Sequence, residues 1–214
     1  MTIPFICPYP TVILANGAFP GHPIPLSFLH KAARIICCDG ATENLLGYGL
    51  EPDFIAGDLD SLSPTLQQRY SWRLHHDPDQ NSNDLTKAVN FCIQRQWNEI
   101  TILGATGKRE DHSIGNISLL ADYAANANIQ MITDYGVFTP LLQSERFQSF
   151  AGQQVSVFTF TPVTVFTFHG LKYPLTKQTL LSWWQGTLNE AVGDEFCIEM
   201  DGGKALVFRQ HQLG

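Results

Sequence analysis

Charge is what this chain has least of. Only 15% of its 214 residues are charged, 13 Lys and Arg against 20 Asp and Glu, and no basic run occurs anywhere. A formal net charge of −7 without a cationic patch argues against a nucleic-acid backbone as partner, although a metal-bound nucleotide remains compatible with an acidic site. The five cysteines, Cys7, Cys37, Cys38, Cys92 and Cys197, leave an odd one out and form no CxxC pair, which suits a reducing cytoplasm. Cys37 and Cys38 end the apolar run Arg34 to Cys38 and read as buried structural thiols. His22, His30, His75, His76, His169 and His211 lack zinc-ligand spacing, and no Ser/His/Asp elbow is present. The N-terminus lacks a basic segment, and Pro4, Pro8 and Pro10 interrupt its apolar stretch, so neither a signal peptide nor a membrane span is expected there. There is no internal repeat or low-complexity tract. The expectation is a cytoplasmic protein with no membrane partner.

Apolar residues, by contrast, make up 44% of the chain, enough for one large domain or two small ones. Short apolar runs at Thr11 to Ala15, Ile35 to Cys38, Asp53 to Ala56, Leu74 to His76, Ile100 to Leu103 and Ile129 to Thr133 read as strands. Between them Ala41 to Tyr48, Pro64 to Tyr70, Asp84 to Gln96 and Asp111 to Ala125 carry helical spacing. Leu85, Ala88, Val89 and Cys92 share one stripe, and Ile114, Ile117, Leu120 and Ala121 another. This alternation predicts an α/β domain over residues 1–136, with a mostly parallel Rossmann-like sheet and flanking helices. From 137 to 214 the texture changes to β-branched and aromatic alternation, in Gln154 to Phe160, Val163 to Phe168, Leu171 to Leu175, Glu195 to Met200 and Ala205 to Phe208. That tail predicts a smaller antiparallel β-sandwich domain.

The carboxylates stand at the ends of the predicted parallel strands. They occur in Asp39-Gly40, in Gly57-Asp58-Leu59-Asp60-Ser61, in Asp79 to Asp84, and in Gly104 to His112. In a parallel sheet, ligands bind beyond the carboxyl ends of the strands, so these stations converge on one site. A hard cation explains such a cluster: magnesium takes oxygen ligands and sits between one or two carboxylates and substrate phosphates. Asp58, Asp60 and Asp84 are the expected metal ligands. Taken alone, Gly57 to Ser61 is also an ordinary turn, and a helix cap accounts equally for Asp84 and for Asp111. The loop Gly104 to Arg109 resembles a phosphate loop that lacks the Walker A ending Gly-Lys-Ser/Thr, and an arginine fork such as that of Arg109 suits phosphate geometry. Lys87 lies one helical turn after Asp84, either beside it or as a solvated surface lysine. Trp183 and Trp184 are read as partly core, with stacking on a flat cationic ring as the other reading.

Taken together, these motifs resemble the thiamine pyrophosphokinase family. The resemblance covers Asn16-Gly17, Asp39-Gly40, Pro52-Asp53, Gly57 to Ser61, Asp84 with Lys87-Ala88, Arg109 to His112 with Asn116, and in the tail Gly170 to Leu175 and Gly186 to Glu190. It implies transfer of a diphosphate group from ATP to the hydroxyl of thiamine, giving thiamine diphosphate and AMP, with Mg2+ as cofactor. It implies Asp58, Asp60, Asp84, Arg109 and Asp111 as catalytic residues, and Asp39, Gly40, Lys87, Gly104, Arg109, Asp111 and His112 as nucleotide-binding ones. Thr187 and Asn189 would bind thiamine, and the family's homodimers share sites between subunits. Two positions depart from the family pattern: Asn83 stands where Thr is usual, and Leu188 where Ser is common. The alternatives are a pyrophosphokinase for another small alcohol such as a pterin, or a non-catalytic nucleotide or thiamine sensor.

Overall fold

The computed structural model describes residues 10–212, so the readings that rest on Cys7, Pro4 and Pro8 lie outside the described residues. The chain forms two compact units. One runs to Leu119 and includes Asn126–Asp134, and the other comprises Leu120–Ala125 and the chain from Tyr135 onward.

The first unit contains β1 (Thr11–Leu14), α1 (Pro23–His30), β2 (Arg34–Cys38), α2 (Thr42–Gly47), β3 (Phe54–Gly57), α3 (Pro64–Arg69), β4 (Leu74–His76), α4 (Asp84–Gln94), β5 (Glu99–Leu103), the start of α5 (Glu110–Tyr123) and β6 (Asn128–Ile132). Its strands lie in the order β6-β5-β1-β2-β3-β4, and every pairing among them is parallel. Every residue of β1 is buried, as a central parallel strand requires. On α4 the stripe Leu85, Ala88, Val89 and Cys92 is buried, and burial pushes the Cys92 thiol up to about 12. On α5 Leu120 and Ala121 are buried, while Ile114 of the same expected stripe is exposed.

Helix α1 has no counterpart in the sequence expectations. Its sequence begins Pro-Ile-Pro, which reads as a breaker. Here Pro23 opens the helix, where no amide is missed, and His22 caps it by accepting a hydrogen bond from the Ile24 amide at 3.2 Å.

Beyond the end of α5 the second unit is built from strands and one short 3-10 helix, Trp183–Gly186. It contains β7 (Gly136–Leu141), β8 (Glu145–Gln148), β9 (Gln154–Thr159), β10 (Val165–His169), β11 (Gln178–Thr179), β12 (Asn189–Glu190), β13 (Glu195–Met200) and β14 (Ala205–Gln210). Antiparallel pairing joins β12-β9-β14-β7 in one layer and β11-β10-β13-β8 in the other. Val155, Val157, Ala205 and Val207 from the first layer share one apolar core with Phe147, Phe166, Phe168, Phe196 and Ile198 from the second. The unit is therefore a sandwich. Leu171 to Leu175, expected as a strand, makes a single bridge from Leu171 to Ala191. The neighbours β9 and β10 do not pair across Thr161-Pro162, because they belong to opposite layers. Among the described residues no helix is long and apolar enough to cross a membrane.

The sandwich core carries a direct stability consequence. Phe166→Ala removes a fully buried ring and should cost about 3–5 kcal/mol in urea unfolding. Val163→Ala, at a residue 79% exposed, should stay within about 0.5 kcal/mol of the parent.

Candidate active site

The chain runs outward from β1 through β2, β3 and β4 on one side of the sheet, and returns with β5 and β6 on the other. The strand order therefore reverses between β1 and β5, and their carboxyl ends diverge into a crevice. A cleft of about 460 Å³ opens there, lined by strand-end residues such as Asn16, Asp39 and Asp58 and by Asp84, Lys87 and Arg109. Its wall is tied together through the backbone, with the Gly17 amide donating to the Gly104 carbonyl at 2.6 Å and the Ala18 amide to that of Thr106 at 2.7 Å.

One ligand-capable oxygen each from Asp39, Asp58 and Asp60 lies within 4.8 Å of the other two. Strand register begins this convergence: Cys38 pairs with Ala56, so Asp39 and Gly57 follow side by side. Gly57 keeps the space between Asp39 and Asp84 free of a side chain. A Cβ on it would come within 3.1 Å of Asp84 Oδ1 and 3.2 Å of Asp39 Cγ. Asp58 and Asp60 are presented by a tight turn whose middle residue, Leu59, is left-handed at φ 67°. That conformation costs a non-glycine residue about 1–2 kcal/mol, and Leu59 is held in it by packing with Ile55, Leu62 and Tyr70.

Asp39 is buried and accepts from the Gly40 amide at 2.6 Å and the Ser61 amide at 3.3 Å. Burial, together with the nearby charge of Asp84, holds its carboxyl above the ordinary range against the pull of those amides. Asp58 is held below that range, chiefly by the Asp60 amide, with Gln80 and Lys87 adding to it. Burial and the charges of Asp84 and Asp39 push the Cys38 thiol far up, so this cleft residue presents no thiolate.

Asp84, expected with Asp58 and Asp60, instead faces Lys87 at 3.3 Å, and the same ammonium lies 3.6 Å from Asp58. Lys87 is 2% exposed, which rules out the solvated surface lysine considered from the sequence. Burial pulls its ammonium down, and the combined attraction of Asp84, Asp58 and Asp77 overrides it, leaving the group raised. The capping role weighed for Asp84 belongs to Asn83. Its Oδ1 accepts from the Thr86 amide at 2.9 Å and its Nδ2 donates to Asn116 at 3.2 Å, while Asn116 donates to the Ala105 carbonyl at 2.9 Å.

Across the cleft, Arg109 is mostly exposed and forked onto Asp111, with Nε donating to Oδ1 at 3.0 Å and Nη2 to Oδ2 at 2.5 Å. Asp111 also accepts from the His112 amide at 2.9 Å, and the Arg109 bond leads the forces that hold its carboxyl low. Lys108 donates to Asn16 at 3.1 Å. Gly40, Gly104, Asp60 and Asp111 flank the cleft without lining it. Ser82 and Ser113 line it and were not singled out from the sequence. For Ser113 the usable signal is helical spacing, since His112, Ser113 and Asn116 recur at intervals of three and four on α5.

Thr187 and Asn189 belong to the second unit. Asn189 is buried, donating to the Tyr173 carbonyl at 2.8 Å and accepting from the amides of Tyr173 and Glu190. Thr187 donates its hydroxyl to the Trp184 carbonyl at 2.7 Å. Trp183 donates to the Thr159 carbonyl at 3.1 Å and packs edge-on against Phe158 and Phe160, whereas Trp184 is 74% exposed.

Both halves of the chain match family sequence models. Residues 26–133 match the thiamin pyrophosphokinase catalytic domain, and residues 136–208 match the thiamin pyrophosphokinase substrate-binding domain. The chain belongs to the thiamin pyrophosphokinase family. A thiamine pyrophosphokinase of Bacillus subtilis is 29% identical over 148 residues, 65% of this chain and 69% of that one. Thiamine pyrophosphokinase 1 of Oryza sativa subsp. japonica is 34% identical over 94 residues, and the match spans 39% of this chain and only 35% of the rice protein. The crystal structure of a thiamin pyrophosphokinase from Geobacillus thermodenitrificans superposes with a TM-score of 0.77 at 25% identity, covering 94% of this chain and 97% of that one. The Candida albicans thiamin pyrophosphokinase, at 18% identity and a TM-score of 0.79, shows the same fold.

Asn83, where the pyrophosphokinase pattern resembled from sequence has Thr, ties the α4 cap to α5 through Asn116. A threonine could still cap but could not donate an amide to Asn116. Asn83→Ala should therefore cost about 1 kcal/mol, and Asn83→Thr only a few tenths, by chemical denaturation. Equal losses in the two variants would show that capping is not what Asn83 supplies.

Proposed function

We propose that the chain transfers the intact β,γ-diphosphate of ATP to the hydroxyethyl oxygen of thiamine, giving thiamine diphosphate and AMP. The observation that carries the reading is a cleft at the sheet's switch point with the carboxylates of Asp39, Asp58 and Asp84 on one wall and an arginine fork on the other, in a chain matched by the family at both halves. The thiamine oxygen attacks the β-phosphorus, the bond from that phosphorus to the α,β-bridging oxygen breaks, and AMP leaves with that oxygen while the alcohol proton passes to solvent. The substrate-binding match over residues 136–208 favours thiamine over a pterin alcohol, and the intact set of carboxylates favours an enzyme over a sensor.

The donor set fits magnesium, since hard oxygen ligands converge where their mutual repulsion calls for a cation. Asp39, Asp58 and Asp60 would hold it, with Asp84 alongside. Bound there, magnesium would offset the negative charge that develops on the phosphates during the displacement. Arg109, kept in line by Asp111, offers its fork to the transferring phosphates. Lys108 and the loop from Gly104 supply further donors, and His112 faces the same space. Gly40 leaves room for the Asn16 side chain: a Cβ there would lie 2.2 Å from Asn16 Nδ2. The region of Thr187 and Asn189 serves thiamine. Two chains pair as a homodimer in which each site takes its phosphate half from one chain and its thiamine half from the other.

Incubation with ATP, magnesium and thiamine should give thiamine diphosphate and AMP by mass detection, and no product under these conditions would overturn the reading. Asp60→Asn should fold normally and lose about 100-fold or more in kcat, because a neutral amide leaves phosphate charge uncompensated. Arg109→Lys should be strongly impaired as well, since it retains charge but not the fork. Mixing Asn189→Ala with Asp84→Asn protein should restore part of the activity after subunit exchange. No recovery would place both halves of a site in one chain.

A further inference from the structure

We propose that Lys87 is the resident cation of this cleft, a positioning residue that holds Asp58 and Asp84 where a second metal ion would otherwise lie and competes with divalent metal for them. The inference rests on the magnesium reading above and assigns Lys87 a role other than phosphate binding. Its side chain is 2% exposed, with the ammonium 3.6 Å from Asp58 and 3.3 Å from Asp84. Among the described residues no other lysine or arginine comes within ion-pair distance of Asp39, Asp58, Asp60 or Asp84.

Helix α4 fixes this arrangement. Asp84 and Lys87 are three residues apart and so lie on one side of it, and the same helix buries Leu85, Ala88 and Val89. Lys87 can reach a phosphate only by abandoning two carboxylates, and withdrawing the partner of a largely buried charge is costly. Arg109, 70% exposed in its side chain, has no such obligation to the interior. A lysine in this position does two things for the protein before any ligand arrives. It keeps Asp58 from being driven apart from Asp84 by like charge, and it leaves the convergent oxygens of Asp39, Asp58 and Asp60 as the place for a single divalent ion.

Manganese, which is paramagnetic and has the same preference for oxygen, provides a test without nucleotide or turnover. Free manganese is titrated by electron paramagnetic resonance against the parent, Lys87→Met and Lys87→Arg. Removing a positive charge a few ångströms from the metal should tighten manganese binding by roughly ten-fold in Lys87→Met, while Lys87→Arg should stay within about three-fold of the parent. Manganese binding in Lys87→Met that is unchanged or weaker than in the parent overturns the inference. A parent protein that binds no manganese overturns the magnesium reading and this inference with it. Should Lys87→Met fold poorly without metal, its melting temperature is followed against manganese concentration. The rise should exceed that of the parent, because the tighter site stabilises more, and a variant that manganese does not restore overturns the proposal.

Discussion

Like charges repel, and three carboxylates from the ends of two adjacent strands converge beside Gly57, with Asp84 of α4 close by. Holding them there is the constraint on which the cleft depends. The parallel register of β2 and β3 sets Asp39 beside Gly57, the amides of Gly40, Ser61 and Asp60 donate to Asp39 and Asp58, and Lys87 reaches across from α4. Leu59 accepts a left-handed backbone so that Asp58 and Asp60 turn toward the same point. Burial, with the charge of Asp84, raises the Asp39 carboxyl, and a hard cation among these convergent oxygens would offset their repulsion.

The rest of the first unit serves that arrangement. A sheet with β1 at its centre and a reversal between β1 and β5 brings Asn16, Asp39, Asp58 and the loop from Gly104 into one crevice. The anionic wall and the cationic wall come from opposite sides of the reversal. The phosphate chain of a nucleotide lying across it would meet carboxylates, through a metal, on one side and Lys108 and Arg109 on the other.

Much of this fold was legible in the sequence because buried parallel strands are continuous apolar runs and the catalytic-type residues follow directly at their ends. The six parallel strands and α4 could be read that way. Helix α1 was hidden by prolines that break helices in the interior but open them at the first turn. Alternation in the tail announced strands, yet whether β9 and β10 pair with each other or lie in opposite layers depends on long-range packing that period-two patterning does not carry. At the site, the sequence located the carboxylate stations but not their grouping. Asp39, rather than Asp84, stands with Asp58 and Asp60, because the depth of Lys87 and the direction of each side chain are tertiary facts. The tie of the Asn189 amide to Tyr173 and Glu190 was equally invisible.

The central claim is that the Asp39, Asp58 and Asp60 oxygens hold the metal that carries the nucleotide phosphates. A crystal structure with manganese and a non-hydrolysable ATP analogue tests it most directly through the anomalous signal of the metal. The account predicts a peak about 2.1 Å from oxygens of at least two of these three carboxylates, with the phosphates lying toward Arg109. A metal seated away from all three, with the nucleotide outside the crevice between β1 and β5, would contradict it.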